Sequence, residues 1–213
     1  MGIQERKERE RERRRQAIMM AARRVFSAKG YERSTMEDIA KEAELSPGTL
    51  YLYFKNKDAL YASLTLRVLQ YMTVRLEHAL EDGEKPYADR KKALLDAMFD
   101  IYEFDAIILN NMFHLQSSET LKELSEDILE EINALSRKAL RMITAVFSTG
   151  MEEGVIHRYH PTAVADIFWS MFTGAVLWEE TKKMINPERY ALRDNLHTAF
   201  DILYRGLDIA PYQ

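Results

Sequence analysis

An all-α fold is what the 213 residues predict. Apolar residues recur at spacings of three and four through long stretches, and no segment alternates as a half-buried strand does. The residues that stop helices, Gly30, Gly83, Pro86, Pro161 and Pro187, fall between the periodic segments. The expected architecture is a three-helix N-terminal unit over residues 1–57, containing a helix-turn-helix, followed by a larger helical domain over 58–213.

Met1 to Arg15 is a charge run, with seven basic residues and four glutamates between Glu5 and Arg15. It reads as a solvated helical extension carrying Glu/Arg pairs. It also reads as an arm that reaches DNA phosphates or a minor groove, with Arg13, Arg14 and Arg15 as the candidates. From Arg15 the pattern is helical: Ile18, Ala21, Ala22, Val25 and Phe26 share one face, and Gly30 supplies the stop.

Ser34 to Leu60 carries the most information. Ser34 or Thr35 caps a short helix, with Asp38 in the capping-box position and Met36, Ile39, Ala40 and Ala43 on the apolar stripe. A tight connection, Glu44-Leu45-Ser46, places Leu45 toward the core and Ser46 as the cap of a second helix that opens with Pro47. That helix keeps Leu50 and Phe54 for the core and offers Pro47, Gly48, Thr49, Tyr51 and Tyr53 on its other sides. Asn56 and Asp58 are both candidate caps for the helix after it. Two short helices crossing over a tight turn form the pattern whose second member enters the major groove of DNA.

The rest of the chain reads as long helices. Asp58 to about Glu81 carries Leu60, Leu64, Val68, Tyr71, Leu76 and Leu80. Tyr87 to about Gln116 and Thr120 to Met151 follow, then a stop in the Gly150–Gly154 region. The last two helices are split by Asn186-Pro187. One presents Val164, Ile167, Phe168, Met171, Phe172, Ala175 and Val176, and the other Leu192, Leu196, Ala199, Phe200, Leu203 and Leu207.

Charge locates the partner surface. The net charge is −4, but residues 1–60 hold 14 Lys and Arg against 10 Asp and Glu, leaving 16 against 24 in the remainder. A basic end that coincides with the helix-turn-helix is expected to meet phosphates. Without cysteine, disulfides and thiolate zinc sites are excluded. No signal peptide and no apolar run of membrane-spanning length is visible, so a soluble, cytoplasmic protein without membrane association is expected. His157 and His160 lack the further ligands of a metal site, and no cofactor is expected. An enzyme is disfavoured: the chain has no phosphate-binding glycine loop, no G-x-S-x-G elbow and no H-E-x-x-H.

Thr35, Ile39-Ala40, Ala43, Leu45-Ser46, Gly48, Leu50-Tyr51, Tyr53-Phe54, Lys57 and Leu60 stand at the spacing of the TetR family of bacterial helix-turn-helix regulators. Ala21-Ala22, Phe26 and Gly30-Tyr31 precede them at the family's distance. The sequence therefore resembles that family, with one departure: Glu44 occupies the turn where the family usually has glycine. If the turn is left-handed there, a side chain costs about 1 kcal/mol.

The resemblance implies a DNA-contacting set of Thr35, Ser46, Pro47, Gly48, Thr49, Tyr51, Tyr53 and Lys57. Thr35, Tyr51, Tyr53 and Lys57 are assigned to phosphates, and the start of the second helix to base edges. It also implies a homodimer through the last two helices and a palindromic double-stranded operator; Ser170 and Gly174, one turn apart, would allow a close helix approach at that contact or inside the monomer. A small, apolar effector is expected in a pocket of the larger domain. Candidate lining residues are Met98, Tyr102, Met112, Phe113, His114, Met142, Phe147, Phe168, Trp169 and Phe172, with Asn110, Asn111 and Gln116 as further polar anchors. For each of these, a place in the core is the competing reading. The competing function is a DNA-binding architectural or partner-recruiting factor of the same fold that senses no small molecule.

Overall fold

The structure, a computed structural model, describes residues 2–106, 109 and 124–208. They form two compact units. One contains the described residues up to 67 together with 124–131, the other those from 68 to 109 and from 132 onward. The units part within a helix, after Arg67.

In the first unit, α1 (Ile3–Lys29) buries Ile18, Ala21, Ala22, Val25 and Phe26, the stripe read from sequence. Gly30 ends it at φ 77°, where a side chain would be strained, and its N–H donates to the Phe26 carbonyl at 2.9 Å. The short α2 (Met36–Glu42) opens on a reciprocal capping box. Asp38 N–H donates to Thr35 Oγ1 at 3.1 Å, and Thr35 N–H donates to the Asp38 carboxylate at 3.2 Å. Lys29, 2.6 Å from Asp38, holds that carboxyl below its ordinary range, with the Thr35 backbone N–H adding to the effect.

The connection to α3 (Pro47–Tyr51) turns at Glu44, whose φ of 56° makes it the one left-handed non-glycine residue among those described. Leu45 N–H then reaches back to the Ala40 carbonyl at 2.8 Å, while its side chain is half-buried and does not reach the core. Ser46 Oγ accepts from Thr49 N–H at 3.2 Å and fixes the start of α3. Leu50 and Phe54 are buried as expected. The next helix, α4 (Lys57–Ala79), is capped by Asn56, whose Oδ1 accepts from Ala59 N–H at 2.8 Å. Asp58, the other candidate cap, instead accepts from the Tyr31 hydroxyl. Tyr31, Phe26 and Tyr61 pack edge to face and tilted, with ring centroids 4.7–5.5 Å apart, and join α1 to α4.

The second unit contains the remainder of α4, then α5 (Tyr87–Phe104), most of α6 (Glu126–Glu152), α7 (Pro161–Ile185), a short 3₁₀ turn (Pro187–Arg189) and α8 (Leu192–Leu207). Two helix ends differ from the sequence reading. α5 stops at Phe104, well before Gln116, where Asp105 takes φ −160° and ψ 79° and leaves the helix. α6 begins at Glu126 and not Thr120. The core is aromatic: Phe147, Phe168 and Phe200 form a chain across α6, α7 and α8, with centroids 5.8 and 4.7 Å apart. Gly150 lets the Tyr87 ring lie against α6, since a Cβ there would stand 2.8 Å from the ring.

Ile167 departs from its expected place on the buried stripe of α7 and is 55% exposed. Seven apolar positions are too many for one face of a helix, and Val164, Phe168, Phe172 and Val176 take the inward positions. Ile167, Ser170, Gly174, Leu177 and Trp178 are exposed at successive helical spacings. α8 likewise exposes Ile202.

Candidate nucleic-acid interface

Thr35, Ser46, Pro47, Gly48 and Tyr51 are exposed, whereas Thr49, Tyr53 and Lys57 are half-buried. They run from the cap of α2 through α3 to the first residue of α4, so the first unit alone holds the whole candidate set. Thr35 Oγ1 accepts the capping bond from Asp38 N–H, and its hydroxyl also engages the Asp38 carboxylate. Ser46 Oγ lies 2.8 Å from Thr49 Oγ1, so the two hydroxyls at the entrance of α3 are coupled. At Gly48 an added Cβ would meet nothing closer than Ser46 Oγ at 4.0 Å. Packing does not require glycine there, but close approach of an external surface to the helix would.

Lys57 has a structural role that the sequence did not reveal. Its ammonium donates to the Tyr31 carbonyl at 2.9 Å and the Ser34 carbonyl at 3.1 Å, and sits 4.2 Å from the centre of the Tyr31 ring. An ammonium has three N–H donors, so one remains for an external acceptor. Leu52, at the end of α3, is 76% exposed between the two candidate tyrosines and was not singled out in the sequence. Its signal was position alone: it stands two residues before Phe54 on a helix whose inward face Leu50 and Phe54 already fill.

Those residues considered for a pocket that the structure describes lie in varied surroundings in the second unit. Met98, Phe147, Phe168 and Phe172 are fully buried, and Phe147 and Phe168 belong to the aromatic chain of the core. Trp169 is half-buried, 5.8 Å from the Phe172 ring. The Tyr102 hydroxyl donates to Glu180 at 2.6 Å and pairs with the Tyr190 hydroxyl. Burial, and then the Glu180 carboxylate, push its phenol well above the ordinary range. Met142 lines an open depression of about 350 Å³ with Leu80, Ala145, Arg90, Glu77 and Glu81. Met112, Phe113 and His114 lie outside the described residues, as do Asn110, Asn111 and Gln116.

A buried carboxylate went unrecognised in the sequence. Glu179 of α7 is 1% exposed, accepts from Ala191 N–H at 3.0 Å and from the Asn195 amide, and lies 2.5 Å from Lys182. Burial works to raise its carboxyl, but the Ala191 N–H, Lys182 and Asn195 outweigh it and hold the group below its ordinary range. Ala191 precedes α8 and has no capping side chain of its own, so Glu179 supplies the cap from another helix.

Among the described residues, no group of three metal-ligating side chains forms and no helix is long and apolar enough to cross a membrane. The capped α2, the tight left-handed turn and α3 with its exposed opening turn define a helix-turn-helix DNA-binding protein that carries a second, helical unit. Residues 18–64 match the profile of bacterial regulatory proteins of the tetR family. The chain is 25% identical over 190 residues to the fatty acid metabolism regulator protein of Bacillus subtilis, covering 89% of this chain and 93% of that one. A TetR family transcriptional regulator, PfmR from Thermus thermophilus, has a similar fold at a TM-score of 0.72 and 22% identity, over 90% of this chain and 98% of its own. So does the B. subtilis regulator FadR in complex with stearoyl-CoA, at a TM-score of 0.66 and 20% identity over 90% and 98%. Residues 18–64 thus carry the DNA-binding signature of the tetR family, and over most of its length the chain is similar to transcriptional regulators of that kind.

Proposed function

We propose that this protein is a repressor that binds a near-palindromic operator as a homodimer and leaves it when a small, apolar effector binds. In this reading residues 1–57 recognise DNA and residues 58–213 hold the effector and the dimer contact, in the cytoplasm. The observation that carries it is the division of α3: Leu50 is buried, while Pro47 and Gly48, at the end that enters a groove, are open and unneeded by the packing.

Support for the dimer comes from α7 and α8, which leave Ile167, Trp178 and Ile202 exposed at 55%, 63% and 66%. Apolar faces of this kind call for a partner, and a second copy of the same pair of helices gives a closed, two-fold contact. An effector with an apolar chain is supported by the resemblance to a regulator bound to stearoyl-CoA, whose acyl chain is apolar. α4 contributes residues to both units as one helix, so it gives a continuous path for a change at one to bias the other.

DNA recognition is tested by selecting a preferred duplex from a random pool, then titrating variants against it and a scrambled duplex. Thr49→Ala should change which sequences are preferred. Tyr53→Phe, which removes a phosphate-directed hydroxyl, should weaken both duplexes alike. A Thr49→Ala protein with unaltered preference would remove the base-reading role from the start of α3.

A further inference from the structure

Of the three arginines that end the N-terminal charge run, one is turned inward. Arg15 donates to Ser63 Oγ at 3.0 Å and lies 5.3 Å from the centre of the Phe54 ring, so it braces α1 against α4. Arg13 and Arg14 point elsewhere. Together with Glu10, Ala17 and Ile18 they line a groove of about 340 Å³ whose other wall is Ala43 and Leu45, on either side of the left-handed Glu44. The next residue after that wall is Ser46, the cap of the recognition helix. The groove therefore lies beside the turn that leads into α3, whose opening residues are the ones proposed to enter the major groove.

Residues 4–14 of α1 are all exposed, so this stretch of helix, roughly 16 Å at 1.5 Å per residue, stands clear of the core. Counting back from the groove by three and four residues, Arg6 and Lys7 fall on the same face as Glu10, Arg13 and Arg14. That face carries four cations and one carboxylate. Among the described residues Arg13 is engaged only by the exposed Glu10, at 3.3 Å, an ion pair of the kind that contributes little and yields readily to a competing anion.

We propose that Arg13 and Arg14 form a phosphate seat beside the recognition helix, and that α1 continues from it as a basic rail along the DNA backbone. The occupant is the sugar-phosphate strand that walls the major groove, because the cations line the groove beside the α2–α3 turn and the duplex is the anion brought there. This rests on the DNA-binding reading and adds contacts that carry no sequence information.

The test measures affinity for random-sequence duplex DNA as a function of salt, using the full-length protein. Removing both side chains in Arg13→Ala/Arg14→Ala should make the log–log slope shallower by about 0.9 for each arginine removed in each bound chain. Arg13→Lys/Arg14→Lys, which keeps the charges, should restore it. Lys138→Ala/Arg193→Ala removes two cations from the second unit and should leave the slope unchanged. An alanine variant with the wild-type slope, or a control variant that flattens it equally, would overturn the proposal while leaving DNA binding intact. A wild-type protein that bound no duplex at all would instead sink the DNA-binding reading itself.

Discussion

Glu44 shows how one residue reports on the geometry around it. Its φ of 56° is the angle at which glycine is free of strain and a side chain is not, and the Leu45 N–H bond to Ala40 holds the backbone there. Glu44→Gly should therefore raise the stability of the protein by about 1 kcal/mol, read as a higher denaturant midpoint. An unchanged or lower midpoint would mean that the turn relaxes without cost or that the carboxylate has a stabilising role. Lys57 gives the complementary lesson. Its place in the motif pointed outward to phosphate, yet two of its three donors hold the carbonyls of Tyr31 and Ser34, so its replacement will disturb the fold of the first unit as well as DNA affinity. That is why Tyr53 and Thr49, rather than Lys57, separate phosphate contact from base reading.

Among the helices, those of the first unit were legible because their signals are local. Thr35 and Asp38, Ser46 and Thr49, Asn56 and Ala59 each act across three residues, within reach of a reading along the chain. The junction of α7 and α8 was not, because Glu179 caps a helix that begins beyond a 3₁₀ turn and nothing in its own neighbourhood marks it as buried. The face of α7 was only partly legible: the apolar stripe was read correctly as a stripe, but its width hid the fact that Ile167 belongs to the other side. The pocket candidates were hardest, since a buried Phe147 or Phe168 has the same periodicity whether it fills the core or lines a cavity.

Glu179 also gives this junction a pH dependence. Its folded carboxyl sits below the ordinary value, so its stabilising contribution is fully present above the unfolded carboxylate pKa and is lost as the pH falls through the folded one. Glu179→Ala should cost about 3 kcal/mol near neutral pH, because Lys182, the Ala191 N–H and the Asn195 amide lose their shared acceptor. The deficit should shrink under acid conditions. Urea unfolding of wild type and variant across the acid range measures both; a deficit independent of pH would assign the effect to packing and not to charge.

For the whole molecule, the exposed faces of α7 and α8 and the single recognition helix per chain lead to the same expectation. Sedimentation should give twice the monomer mass of 24.9 kDa, and Trp178→Glu, which places a charge on the exposed face of α7, should shift the protein toward monomer and weaken operator binding with it. A Trp178→Glu protein that stayed dimeric would move the contact elsewhere.

The central claim is that effector and operator compete through the protein. If so, linkage requires each to weaken the other by the same factor, a coupling of typically 5- to 150-fold. The most direct measurement is calorimetric titration of stearoyl-CoA into the protein, with and without saturating selected operator. The dissociation constant should be at least several-fold larger when operator is present, matched by the same loss of operator affinity at saturating ligand. Equal dissociation constants in the two titrations would contradict it for this ligand, and equality across apolar ligands of other classes would leave a DNA-binding factor of this fold that senses none of them.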